Sequence, residues 1–231
     1  MTEHKKTVVI SVGGSLIFPD DNIDASFLLS IKDFLINHSD VFNFFIVCGG
    51  GKICRKYQHS AKEVADTKEE DLDHLGIRVT HLNAFLMTTI LGDHCRKEVA
   101  TNYNNLPSFD KKPIIVSGGW KPGFSTDTGA VMAAKFFKTN RVVNLSNIDF
   151  VYTADPKKEK QAKPIKKISW EKYRKMIPSA WTHGLNTPFD PIASKKAEEN
   201  NVEVSIINGK NLPELEKYLT DKPFKGTLIK N

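Results

Sequence analysis

The stretch Ile114-Ile-Val-Ser-Gly-Gly-Trp-Lys-Pro-Gly-Phe-Ser-Thr-Asp-Thr-Gly-Ala-Val-Met-Ala-Ala-Lys135 decides the fold. It reads as a short apolar strand, Ile114 to Val116, running into paired glycines, a loop, and a helix rich in small residues. Gly118 and Gly119 carry no Cβ, so the backbone can turn sharply and a charged ligand can approach its N–H groups. Ser125, Thr126 and Asp127 stand at the helix start, where unpaired N–H groups and the helix dipole favour an anion. Strand, glycine turn and polar helix entry together form a common cradle for a phosphorylated ligand.

The same device occurs twice more. Thr7 to Val12 is a continuous β-branched run, as in a strand buried on both faces, and Gly13-Gly14-Ser15 ends it. Phe44 to Cys48 is a second such strand, and Gly49-Gly50-Gly51 opens a helix beginning Lys52-Ile-Cys-Arg. Between them, Asp24 is placed to cap an amphipathic helix through about Asn37. A long helical region is expected from Glu69 to Ala100, with Gly76 and Gly92 as points of bending or breakage. Arg141 to Leu145 reads as a fourth strand ending in Ser146-Asn-Ile-Asp149, and Lys157 to Lys167 as a surface excursion. Ser169 caps a short helix, and Ser179 to Thr187 reads as a loop. Asp190 starts a helix through Asn200; Val202 to Ile207 is a strand, Leu212 to Leu219 a helix, and Thr227 to Ile229 a last strand.

Strands alternating with helices predict a three-layer α/β/α sandwich with a mainly parallel sheet, in which ligands gather at the carboxyl ends of the strands. Three glycine turns at such ends would face one crevice.

Composition narrows the function classes. The 231 residues are 40% apolar and 26% charged, without a low-complexity tract, which suits one domain with a sizeable core. Every apolar run is too short to span a membrane, and the N-terminus enters a strand with no signal-peptide pattern. Cys48, Cys54 and Cys95 are odd in number and lack metal-ligand spacing, so they read as reduced thiols in a cytoplasm. Net charge is +6, with much of the excess between Lys157 and Lys175. No nucleic-acid motif accompanies it, so a solvated face is expected there and nucleic acid is not an expected partner. Neither G-x-x-x-x-G-K-[ST] nor a dinucleotide G-x-G-x-x-G is present, which disfavours a P-loop kinase and a Rossmann dehydrogenase.

The motifs in chain order resemble the amino acid kinase fold, and within it the uridylate (UMP) kinases of the archaeal type. The resemblance spans nearly the whole chain. It rests on Val-Gly-Gly-Ser-Leu (12–16), Val-Cys-Gly-Gly-Gly-Lys-Ile-Cys-Arg (47–55), and Asp-His-Leu-Gly-Ile (73–77) with Asn83. It continues through Gly-Gly-x-x-Pro-Gly-x-Ser-Thr-Asp (118–127), Asn-Ile-Asp (147–149), Val-Tyr-Thr-Ala-Asp-Pro-Lys (151–157) and Phe-Asp-Pro-Ile-Ala-Ser-Lys (189–195).

The resemblance implies transfer of the γ-phosphoryl group of ATP to UMP, a step of pyrimidine nucleotide biosynthesis, with Mg²⁺ carried on ATP. Residues 1 to about 140 would bind UMP and about 141 to 231 ATP, within a single domain, and the family suggests a homohexamer. It places ATP at Gly13, Gly14, Ser15, Gly51, Arg55, Ser146, Asn147, Tyr152 and Asp155. It places UMP at Gly50, Asp73, Gly119, Trp120, Lys121, Pro122, Gly123, Phe124, Ser125 and Thr126. Asp127 corresponds to the catalytic aspartate, expected to orient lysines and Mg²⁺ rather than act as a base, since a UMP phosphate is already deprotonated.

The chain departs from the family pattern in places. Ser11 stands where a lysine often closes the first strand, so another cation must face the transferred phosphoryl group; Lys195 is the first candidate and Lys52 the second. Phe150 replaces the usual glycine, and Trp120-Lys121 a Thr-His pair. Two other readings stay open: a kinase of this fold with another acceptor, and a nucleotide-binding member without turnover. Among other acceptors, isopentenyl phosphate is disfavoured because Lys52-Ile53-Cys54 stands where its kinases place a histidine.

Overall fold

The computed structural model describes residues 5–180 and 187–231. In chain order it contains β1 (Lys6–Val12), α1 (Gly14–Ile17), α2 (Ala25–His38), β2 (Phe42–Cys48), α3 (Gly51–Val64), α4 (Glu69–Leu91) and β3 (Ile114–Ser117). Then come α5 (Thr126–Phe136), β4 (Arg141–Ser146), β5 (Val151–Tyr152), β6 (Pro164–Ile165), β7 (Lys167–Ile168) and α6 (Trp170–Met176). The chain ends with α7 (Pro191–Glu199), β8 (Glu203–Asn208), α8 (Leu212–Leu219) and β9 (Thr227–Ile229).

Seven strands form one sheet in the order β3-β2-β1-β4-β8-β9-β7, parallel except where β9 runs against β8. Alternation along each strand divides the side chains between two cores. Val8, Ile10 and Val12 of β1, with Phe44 and Ile46 of β2, meet α2, α4 and α8 on one face. Val9, Phe45, Ile115 and Val204 meet the small and aromatic residues of α5, α6 and α7 on the other. This is the expected three-layer sandwich, and the sheet runs without a break from the N-terminal half into the C-terminal half.

The register matters for the site. Val12 pairs with Cys48 on one side and Leu145 on the other, so the ends of β1, β2 and β4 lie abreast. Connections leave β1 toward β2 and β3, and the later strands fill in from β4 outward. The reversal of order between β1 and β4 opens a crevice at their carboxyl ends.

Four expected helix starts carry their caps: Asp24, Ser125, Ser169 and Asp190 accept from the amides of Phe27, Thr128, Lys172 and Ala193. The long helix differs from expectation at its end. It runs through Gly76, which faces Cys54 of α3, and stops at Gly92, whose φ of +56° ends the helix. The chain beyond is extended along β3, with the amides of Arg96 and Ala100 donating to the carbonyls of Ile114 and Val116.

The basic excursion is also more ordered than its composition indicates. β6 pairs with β5, and β7 adds to the sheet beside β9. The loop expected over Ser179 to Thr187 falls, at residues 181–186, outside the described residues. Cys48 and Cys95 are buried and Cys54 half-buried, all as unpaired thiols. Among the described residues no helix is long and apolar enough to cross a membrane.

Candidate active site

The glycine turns after β1 and β2 interlock. A Cβ on Gly14 would lie 2.1 Å from the amide nitrogen of Gly51, and Gly51, at φ +68°, would place its own Cβ 2.4 Å from the carbonyl oxygen of Gly14. These two glycines are therefore required by backbone-on-backbone packing as well as by any approach of a ligand. The amide of Gly49 donates to the carbonyl of Val12 at 2.9 Å, which ties the two strand ends together.

Helix α4 runs behind the turns and fixes two of them through side chains one turn apart. Asn83 Nδ2 donates to the Gly49 carbonyl at 2.8 Å. Thr80 Oγ1 accepts from the Gly119 amide at 2.7 Å, and His81 Nε2 lies 2.7 Å from the Gly119 carbonyl. Tyr103 adds a hydroxyl bond to the Gly118 carbonyl at 2.9 Å. Asp73, at the start of α4, accepts from the Gly123 amide at 2.8 Å and so pins the 119–126 loop.

Asp127 sits in the first turn of α5 at the floor of the crevice. Its Oδ1 faces Ser11 Oγ at 3.4 Å and Asn144 Nδ2 at 3.3 Å, and its Oδ2 accepts from the Asp190 amide at 3.2 Å. Asp190 caps α7 and also accepts from Ser125, the cap of α5, so the two helix starts are joined by one carboxylate. Burial, and then the neighbouring Asp190 charge, push Asp127 up to about 8. Burial likewise raises Asp190. Asp127 is half-buried with an edge open to the crevice, and its burial favours the protonated form.

Two clefts open above this floor. The larger, about 800 Å³, is lined by Ser11, Gly13, Gly14, Ser15, Lys52, Asp127, Asn144, Ser146, Asn147, Asn208 and Lys210, among others. The smaller, about 200 Å³, is lined by Cys54, Gln58, Asp73, Ile77, Thr80, Gly119, Lys121, Phe124 and Ser125, among others. Gly50, Gly51, Arg55 and Thr126 line both. A ligand in each cleft would meet its neighbour over these four residues. That is the arrangement an in-line transfer between two phosphorylated molecules requires.

Most residues expected to hold ATP line the larger cleft, and most expected to hold UMP line the smaller. The exceptions have local causes. Tyr152 is half-buried with its ring edge-on to Phe150, and Asp155 is exposed, its carboxylate accepting from the Lys157 amide in a turn. Neither is part of the lining. Trp120 packs on Tyr103 and Phe124, with Lys121 Nζ 4.3 Å over its ring, so it supports the loop from behind. Pro122 and Gly123 form the outer turn of that loop, where Gly123 adopts φ +76°.

Lys195, the first candidate for the missing cation, lies away from both clefts. Its side chain is 64% exposed, lies 3.9 Å from Glu199 and is absent from both linings. Helix α7 turns Pro191, Ala193, Ser194 and Ala197 inward, so position 195 falls on the outer side. Lys52 does line the larger cleft, 2.7 Å from Asp20.

The family profile of the amino acid kinase family matches residues 6–208, from β1 through β8. The chain belongs to the amino acid kinase family. Within that family it is 33% identical over 227 residues to a uridylate kinase of Methanocorpusculum labreanum, covering 97% of this chain and 95% of that protein. It is 30% identical over 224 residues to a uridylate kinase of Pyrococcus abyssi, covering 96% and 98%. The crystal structure of uridylate kinase from Archaeoglobus fulgidus superposes with a TM-score of 0.80 at 28% identity, over 96% of this chain and 99% of that one. The UMP kinase structure from Ureaplasma parvum, at 22% identity, shares the fold with a TM-score of 0.79, over 99% and 100%.

Several residues around the crevice carried no signal in the sequence that tied them to it. Asn144 could have been noticed as a polar residue in an otherwise apolar strand, Val142-Val-Asn-Leu145. Asp190 was legible as a cap but not as the neighbour of Asp127, because 63 residues separate them. Thr80 and Lys210 carried no motif of their own.

Proposed function

We propose that this chain transfers the γ-phosphoryl group of ATP to UMP, giving UDP and ADP. The observation that carries the reading is the pair of clefts meeting over Gly50, Gly51, Arg55 and Thr126, on a chain similar along its whole length to uridylate kinases. UMP occupies the smaller cleft, with Asp73 and the loop from Gly119 to Thr126 around it, and ATP the larger, with its phosphates over Gly13, Gly14 and Ser15. A phosphate oxygen of UMP attacks the γ-phosphorus, the bond to the β,γ-bridging oxygen breaks, and ADP leaves.

Helix α3 begins at Gly51, and its first amides point toward the transferred group together with the positive end of the helix dipole. Arg55, one turn along, reaches both phosphates. Lys52 leaves Asp20 to join it. Asp127 holds these cations in line from the floor; the reaction asks for no base, since the acceptor oxygen is already ionised.

Among the described residues no cluster of three or more His, Cys, Asp or Glu is disposed to bind a metal ion. The hard oxygens of Asp127 and Ser11 suit Mg²⁺ that arrives on the triphosphate with its own waters. Mg²⁺ would there neutralise charge on the β and γ phosphates, and Asp127 is the carboxylate placed to face it. A place in pyrimidine nucleotide biosynthesis, work in the cytoplasm and a homo-oligomer, hexameric as the family resemblance implies, complete the reading. Exposed Leu82 and Phe85 on α4 offer apolar surface for subunit contact.

The test is ADP release with Mg-ATP against UMP, CMP, dUMP, AMP, isopentenyl phosphate and carbamate. Marked preference for UMP is expected. Binding of ATP without transfer to any acceptor would replace the reading with that of a non-catalytic member of the fold. A second expectation concerns Arg55, which lines both clefts. Arg55→Ala should raise KM for ATP and for UMP, each by roughly tenfold or more, from the loss of a charge-assisted hydrogen bond. Unchanged values for both would reassign it to the surface.

A further inference from the structure

Among the described residues the floor of the larger cleft carries no fixed positive charge. Ser11 and Asn144 are neutral, and Asp127 is an acid. The cations in the lining, among the described residues, are Lys52, Arg55 and Lys210. Lys52 and Arg55 both rise from α3, on the side shared with the smaller cleft. Lys210 approaches from the other side, in the turn that follows β8. A triphosphate held from one side only would keep much of its charge uncompensated, so the position of Lys210 is chemically consequential.

Its backbone is firmly set. The Gly209 amide donates to the Ser146 carbonyl at 2.9 Å, and the Lys210 amide donates to Asn208 Oδ1 at 3.0 Å. Asn208 in turn donates through Nδ2 to Asp149 at 2.8 Å. The side chain is 60% exposed and rests outward, with Nζ 3.7 Å from Asp24 Oδ2. Asp24 belongs to a separate, smaller hollow of about 150 Å³, which Lys210 also lines. Lys210 thus stands on the ridge between the cleft and a waiting carboxylate. The family match ends at residue 208, two positions before it.

We propose that Lys210 is a catalytic residue of this chain, moving from Asp24 to the phosphates of the bound donor nucleotide and supplying positive charge opposite Arg55 and Lys52. The proposal rests on the kinase reading for its role in turnover, but its contact with a nucleoside triphosphate can be measured without turnover. Asp24 holds the side chain at the rim of the empty cleft and releases it when the stronger anion enters.

The experiment compares the parent, Lys210→Gln, Lys210→Arg and Lys217→Gln by calorimetric titration with the non-transferable analogue AMP-PNP and Mg²⁺, and by steady-state kinetics with ATP and UMP. Lys217 lies on α8 beside Glu214, outside both clefts, and its variant controls for a change in overall charge. Lys210→Gln should weaken AMP-PNP by about tenfold and lower kcat by about tenfold, with KM for UMP within about twofold of the parent. Lys210→Arg should recover most of the affinity, and Lys217→Gln should match the parent.

AMP-PNP affinity of Lys210→Gln within about twofold of the parent would overturn the proposal. Parent protein that binds AMP-PNP but transfers nothing to UMP would sink the kinase reading and the catalytic role, while the affinity comparison still decides the contact. A parent that binds no AMP-PNP would overturn both. Asp24→Asn, which retains the helix cap, should tighten AMP-PNP by about two- to threefold, and an unchanged value would remove Asp24 from the account.

Discussion

Asp127→Asn is expected to reduce phosphoryl transfer by about 10²- to 10³-fold, the scale seen when one preorganised electrostatic group is removed from a reacting centre. It is also expected to make the ligand-free protein more resistant to unfolding above neutral pH. The two effects have one cause. Burial, and then the adjoining Asp190 charge, disfavour a charge at Asp127 and raise it from the ordinary carboxylate range to about 8.

Well below the ordinary carboxylate range, at about pH 2, the carboxyl is protonated in both folded and unfolded chains and contributes no pH dependence. Between pH 4 and 8 the unfolded chain sheds the proton while the folded chain keeps it, so stability falls as pH rises. The loss levels off once the folded form ionises too. Asparagine has nearly the shape of the protonated acid and cannot ionise, so it escapes this loss. The difference in Tm, variant minus parent, should therefore be smallest at about pH 3 and grow steadily toward about pH 8. A difference flat across that range would mean that the carboxylate is as comfortable folded as unfolded, and retained turnover would end its role in the chemistry.

A buried acid that weakens the empty protein is understandable if its charge is wanted only once cations occupy the cleft. Lys52, Arg55 and Lys210 line that cleft, and Lys52 and Lys210 have acidic neighbours at the rim in the unliganded state. Filling the donor site would draw them inward and let Asp127 ionise. Binding and ionisation at the floor are in this way linked, and ATP affinity should carry a pH dependence that Asp127→Asn removes.

Much of this architecture could be read in the chain because parallel strands buried on both faces are nearly continuous apolar runs. Lys6–Val12, Phe42–Cys48 and Ile114–Ser117 each end in glycine or in a residue just before one, which located the crevice. Helix starts were equally legible, since Asp24, Ser125, Ser169 and Asp190 advertise their capping function by residue type. Edges were not. The two-residue strands β5, β6 and β7 are too short to show a period, and the extended run after Gly92 owes its order to β3, not to its own sequence.

At the site the limit was distance along the chain. Strand register brings Ser11, Asn144 and Asp190 against Asp127 from three separate segments, and no local pattern encodes that meeting. Residues placed by resemblance alone differ in whether they line a cleft, for the same reason. Ser146 and Asn147 line the larger cleft because they end a central strand. Tyr152 and Asp155 lie beyond it in a hairpin, where a motif fixes their order but not the direction of their side chains.

Among the described glycines, Gly14→Ala brings the added methyl into the shortest contact and should be severely destructive. The added Cβ would lie 2.1 Å from the Gly51 amide nitrogen and 2.5 Å from the Gly50 carbonyl carbon. Both neighbours are backbone, and they cannot turn aside as the end of a flexible side chain would. Relief requires the ends of β1 and β2 to separate, which breaks the bond from Gly49 to Val12 and displaces the first turn of α3. The expected cost is about 3 kcal/mol or more, in the range of overpacked core substitutions, with activity lost even in molecules that fold.

Gly123→Ala is the comparison. That glycine also has a positive φ, +76°, yet a Cβ there would meet nothing within 4 Å. Only the backbone preference is lost, about 1 to 2 kcal/mol. Urea midpoints and UMP-dependent turnover measured on both variants separate two accounts of the glycine turns. If glycine serves solely to let phosphate approach the backbone, Gly14→Ala should fold like the parent and show a raised KM for ATP. If the turns are also a joint between two strands, Gly14→Ala loses stability far more than Gly123→Ala, and the cradle for phosphate exists because the joint brings two sets of amides to one place.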